Sequence, residues 1–133
     1  MRHSAVRQAL AVIAGVVAAS ITIFLTETIA HRLFPSAPDA NTAIDQNLLI
    51  AVAIGWFLGS LIGAAVAMRI ASGVLPGWIV GLIIAGLSVL NTQMMPHPVW
   101  MVVAAIVLPL TAVLIAKRLT PHHRDGEVPL NRR

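Results

Sequence analysis

Cysteine is absent from this 133-residue chain, so disulfides, zinc–thiolate centres and thiol nucleophiles are excluded at the outset. Tyrosine is absent as well, and the only aromatics are three Trp and three Phe. Without basic and aromatic side chains interleaved there is no platform for nucleic acid, despite a sequence pI near 11.5. Charge is scarcer still: Asp, Glu, Lys and Arg together make up 11% of the residues, against about 25% in an ordinary soluble domain. A soluble fold of this size has to cover itself with charge, and this chain has too little. No GxGxxG, P-loop, HExxH or Ser/His/Asp arrangement is present. The sequence therefore offers no catalytic nucleophile, implies no cofactor and reads as non-enzymatic. His122-His123 supplies two ligands where a zinc site needs at least three, so no metal is expected.

What the chain has in abundance is apolar residues: 58% are hydrophobic, and the mean hydropathy is +0.87. Three stretches, 8–26, 46–68 and 70–116, carry no Asp, Glu, Lys or Arg. A spanning helix needs about 20 mainly apolar residues, since the hydrocarbon core is about 30 Å thick and each residue rises 1.5 Å. The first two stretches fit one crossing each. The third would be roughly 70 Å long as a single helix, but Pro96 and Pro98 interrupt it, and a helix cannot continue through such a pair. The reading is an all-α membrane protein, a bundle of four transmembrane helices near 8–33, 47–69, 75–95 and 98–117. The loop 34–46 carries the turn formers Pro35, Ser36, Pro38, Asp39 and Asn41. The connection 71–75 is short enough to make helices two and three an antiparallel hairpin. The tail 120–133 is polar and aperiodic, and is expected to be disordered.

The basic residues sit at the ends of the apolar segments, where they report topology. Arg2, Arg7, Arg69, Lys117, Arg118, Arg124, Arg132 and Arg133 fall on one side and only Arg32 on the other. Positive residues stay inside, so both termini are expected in the cytoplasm of a cell whose inner (plasma) membrane the chain crosses. The first apolar run is longer than the h-region of a signal peptide and no small-x-small cleavage site follows it, so it reads as a retained signal anchor. Arg69, Lys117 and Arg118 read as snorkelling anchors. Trp78 and Trp100 fall near helix ends, where amphipathic rings favour the interface.

In lipid there is no hydrophobic drive between helices, and small residues that let backbones approach take over. Gly55, Gly59, Gly63 and Ala67 form one ridge spaced by four, and Gly77, Gly81 and Ala85 form another. Both ridges can pack within one chain, or one can face a second subunit. The segment Gly55-Trp56-Phe57-Leu58-Gly59 also echoes Gly77-Trp78-Ile79-Val80-Gly81 in a helix of opposite direction, the pattern of an inverted repeat. Pro109 removes a backbone bond within helix four, and Thr111 is placed to help satisfy a freed carbonyl.

Few polar residues lie inside the spans. Glu27 and His31 share a face of helix one, with Ser20 two turns back. Asn91 and Gln93 lie near the same end of helix three, and His97 lies in the turn that follows. Glu27, His31, Asn91 and His97 are therefore expected to form one polar cluster in the outer half of the membrane. Three readings stay open: ordinary interfacial residues in reach of water, a structural hydrogen-bond network, or a site that handles protons or cations.

These residues resemble an uncharacterised bacterial family of small four-helix integral membrane proteins. The resemblance is carried by Glu27-x-x-x-His31-x-x-Phe34-Pro35, by Gly55-Trp56-Phe57-x-Gly59 through Gly63, and by Ala67-x-Arg69-Ile70-Ala71. It continues in Asn91 and Pro96-His97-Pro98-x-Trp100, and covers most of residues 10–115. Members carry more prolines after the first helix than Pro35-Ser36-Ala37-Pro38 does here, which leaves the shape of that loop open. The resemblance implies the four-helix topology and no particular activity. Two functions remain: a structural, accessory or self-associating membrane protein, with lipid, a homo-oligomer or a larger complex as partner; or a small proton- or cation-coupled transporter or channel using Glu27 and His31.

The orientation can be tested in a chain free of competing thiols. A cysteine introduced as Ser36→Cys should react with a membrane-impermeant reagent on intact cells, and one introduced as Thr120→Cys should not. The reverse pattern would invert the topology.

Overall fold

The computed structural model of the chain describes residues 2–35, 45–94 and 97–120. Ser36, Pro38, Asp39, Asn41, Pro96 and the tail beyond Thr120, with its histidine pair and three arginines, lie outside the described residues. Four helices run in order: α1 (Arg2–Leu33), α2 (Gln46–Ala71), α3 (Leu75–Met94) and α4 (Val99–Leu119). Each is long and apolar enough to cross a membrane, and the chain is a four-helix membrane bundle. Helix α1 begins earlier than its apolar run, because Ser4, Ala5 and Arg7 are compatible with helix even where hydropathy stops marking the span. Within α1 the threonines satisfy themselves locally. Thr22, Thr26 and Thr28 each donate to the carbonyl four residues back, at 2.9, 2.8 and 2.7 Å, as hydroxyls must where no water is available.

The helices do not form a closed ring. Helix α2 packs against all three others and α3 does the same, while α1 and α4 flank this central pair and do not pack on each other. The small residues explain the arrangement. The α2 ridge turns toward α1: a Cβ on Gly63 would lie 2.5 Å from the Gly15 carbonyl oxygen, and one on Gly59 would lie 2.9 Å from that of Ala19. Gly55 looks at Thr26 in the same way. The α3 ridge is divided, with Gly77 set against Met68 and Ala64 of α2 and Gly81 against Val113 and Pro109 of α4. Both ridges pack within the chain. A third ridge, Ala11, Gly15 and Ala19 on α1, answers the one on α2; all three are buried. The echo between the two Gly-Trp segments does not extend to their surroundings. Trp56 is only 2% exposed within a cluster with Ala30, Leu48, Met101 and Ala105, whereas Trp78 lies half-buried against Ala64, Met68 and Val113.

The connection between α2 and α3 is closed by two bonds to Met68. The N–H groups of Ser72 and Gly73 both turn back on its carbonyl, and Ser72 adopts the left-handed conformation (φ 56°) usual for a helix C-cap. Arg7 reaches across from α1 to the same spot, donating from Nε to the Ile70 carbonyl at 2.6 Å and from its outer nitrogen to Ser72 Oγ at 2.8 Å. A cation is thereby placed at the negative end of the α2 dipole. Its part is structural as well as topological.

Pro109 is fully buried inside a continuous α4. Its ring leaves the Ala105 carbonyl without its helical donor. Thr111 does not supply a replacement, because its hydroxyl donates to Val107, the carbonyl that its i−4 geometry allows. Ser60 is fully buried, and its Oγ is the one buried side-chain polar atom among the described residues with no partner.

The two kinds of glycine should separate in a thermal melt. Gly63→Ala puts a methyl group into the Gly15 backbone and should destabilise the bundle by about 1–3 kcal/mol. At Gly86 nothing lies within 4 Å of an added Cβ, so Gly86→Ala should be neutral or stabilising by up to about 1 kcal/mol. Equal melting temperatures for the two variants in detergent would contradict the α1–α2 packing.

Candidate functional site

Helices α1 and α3 run in the same direction, and each carries a stripe at i, i+3, i+4 and i+7. On α1 it is Ser20, Ile23, Phe24 and Glu27; on α3 it is Ile84, Leu87, Ser88 and Asn91. The two stripes face each other across a cleft of about 270 Å³ whose wall is completed by Trp56 of α2. Small residues create it. Gly15 lets α1 sit against Val80 of α3 at the end of the bundle that carries Arg7, and toward the other end the longer side chains of the stripes leave space between the helices. Each stripe spans about 10 Å along its helix. Glu27 lies about 9 Å short of the helix end at Leu33.

The cleft is layered. Trp56, Ile84 and Ser88 at its floor are buried, Glu27 and Asn91 are half-buried, and Ser20, Phe24 and Leu87 at its rim are exposed. Neither the Glu27 carboxylate nor the Asn91 amide is hydrogen-bonded to another described residue. A charged side chain at the centre of a spanning helix is unfavourable by about 2.5–3.5 kcal/mol on insertion scales, and by less toward the helix end where Glu27 lies. A carboxylate, an amide and two hydroxyls collected in one apolar cleft can accept a proton, or coordinate a positively charged group.

Glu27 also borders a second, shallower groove, about 400 Å³, shared with Phe24, Thr28, His31 and Arg32. Here His31 sets Nδ1 2.9 Å from the main-chain carbonyl of Glu27, not from its carboxylate. The ring is exposed near the helix end, and Nδ1 is a second partner for a carbonyl that the helix already satisfies. Of the four residues grouped by sequence, the structure brings Glu27 and Asn91 together in one cleft and Glu27 and His31 together in the other. His97 is half-buried between α3 and α4 and lines neither cleft. Gln93 is exposed and, among the described residues, donates to Thr92 at 3.5 Å. Among the described residues no group of three His, Cys, Asp or Glu is placed to hold a metal ion.

Sequence reasoning missed Ser88 and Trp56. Ser88 was legible, since it stands one turn before Asn91 on the same face. Trp56 carried a signal in its depth: an indole in the middle of a span, rather than at its end, needs somewhere to place its N–H.

Cross-linking tests the geometry directly. Paired substitutions Phe24→Cys and Leu87→Cys should be joined by a short bifunctional thiol reagent, read as α1–α3 linkage after proteolysis. The pair Phe24→Cys and His97→Cys should not be joined. Linkage of the second pair alone would place the cleft elsewhere.

Comparison with known proteins adds no relative: no family model matches the chain, and no curated protein or solved structure does either.

Proposed function

We propose that this chain is a small, non-catalytic membrane protein that handles protons or cations at Glu27. The observation that carries the reading is the half-buried Glu27 carboxylate, without a hydrogen bond to another described residue, facing Asn91 across the α1–α3 cleft. A carboxylate in that position is neutralised either by a proton or by a cation, and one excludes the other. Exclusive occupancy of a single group is the simplest basis for coupling two fluxes. Asn91 and Ser88 offer neutral oxygens on the facing helix, and His31 lies on the adjoining groove as a group able to pass a proton toward the helix end.

The competing reading is a structural, accessory or self-associating protein; for self-association it would use a glycine ridge, and both ridges pack on α1, α2 and α4 of the same chain. The eight-to-one bias of Lys and Arg supports an orientation with both termini in the cytoplasm, which puts the cleft in the outer half of the membrane.

Purified protein in liposomes provides the test. With an imposed proton, sodium or potassium gradient and a matching internal dye, the wild-type chain should dissipate at least one gradient several-fold faster than Glu27→Gln. The variant must keep its helical content and elution volume for the comparison to count. Equal rates for every gradient would overturn the proposal.

A further inference from the structure

The mouth of the α1–α3 cleft opens sideways. Phe24 and Leu87 at its rim are 68% and 53% exposed, and both belong to helices long and apolar enough to span the membrane. Rim residues at that depth face hydrocarbon. A hydrated inorganic cation entering this way would have to shed its water in an apolar layer. A cation that carries its own apolar surface would not.

We infer that the α1–α3 cleft takes an organic ammonium bearing an apolar chain, entering from the bilayer, with its charged head on Glu27 and its chain between Phe24 and Leu87. The inference rests on the reading of Glu27 as a cation-handling group. Three features choose this class. Glu27 brings a carboxylate with no hydrogen bond to a described residue, and its charged neighbours His31 and Arg32 line the other groove, so the head is positive. Trp56 at the floor and Phe24 at the rim supply aromatic rings, which attract ammonium groups by cation–π interaction. The volume, about 270 Å³, is below the about 300–1,000 Å³ of sites that enclose a whole small molecule. It fits a head and the first carbons of a chain, and leaves the rest in lipid.

The same chemistry is presented by a free amphipathic amine and by the amine headgroup of a membrane lipid. His31 and Arg32, on the groove that shares Glu27 and Phe24, are placed to meet the phosphate of the second. The two sources therefore differ in whether Arg32 matters.

The experiment uses the full chain in nanodiscs of an uncharged glycolipid, with tritiated dodecyltrimethylammonium as the probe. Saturable binding is expected, weakened about tenfold or more by Glu27→Gln, the loss expected for a contact to a charged group. Dodecanol, which has the same chain and no charge, should not compete on the wild-type protein, a control that needs no variant to fold. Competition by added phosphatidylethanolamine that is lost in Arg32→Gln identifies the lipid as the source; absence of competition identifies a free amine. No saturable binding, equal binding by Glu27→Gln, or displacement by dodecanol overturns the inference. If Glu27-dependent dissipation of an inorganic gradient persists in that case, the inference falls alone. If it is also absent, the reading beneath it falls too.

Discussion

Where α1 crosses α2, a Cβ on Gly15 would stand 2.6 Å from the carbonyl oxygen of Gly63, and a Cβ on Gly63 would stand 2.5 Å from that of Gly15. No larger residue fits either position without separating the helices. Dispersion between closely packed backbones replaces the hydrophobic drive that lipid withholds. This approach also brings Val80 of α3 onto both glycines, so one contact sets three helices. The position of α1 against α3 follows from it, and with that the opposition of Glu27 and Asn91. The polar site depends on a pair of residues with no polar side chain.

The Arg7 clamp works at the other end of the same helix. Its two bonds to Ile70 and Ser72 fix α1 against the α2 terminus, and the Gly15–Gly63 contact fixes it again two turns further on. Beyond Ala19 the helix stays in contact with α2, through Ile23 and Thr26 against Gly59 and Gly55 and through the buried Ala30.

Much of this was legible in the residues. Four spans follow from the lack of charge over 8–26, 46–68 and 70–116 and from the proline pair, because membrane-crossing length is a simple physical requirement. That Gly59 and Gly63 pack closely follows from their spacing. Which helix they pack on does not, because a ridge has no marker for its partner; the matching Ala11-Gly15-Ala19 ridge was the missing half of the argument. Glu27 and Asn91 share a cleft because parallel helices place similar depths side by side. His97 lies elsewhere because depth alone does not fix the angular position of a turn. The bond from His31 to a backbone carbonyl could not be foreseen from an i, i+4 pairing of side chains, since at that spacing the ring nitrogen reaches the Glu27 carbonyl as readily as its carboxylate.

Trp56 belongs to two parts of the molecule at once. One boundary of the indole belongs to the cleft, and the other belongs to the cluster with Met101 and Ala105 of α4. Helices α1 and α4 have no direct packing, so a displacement of α1 is not transmitted to α4 by contact between them. The indole is thus the side chain shared by the cleft beside Glu27 and the buried cluster to which α4 contributes, so the floor of the cleft is set by packing that reaches α4.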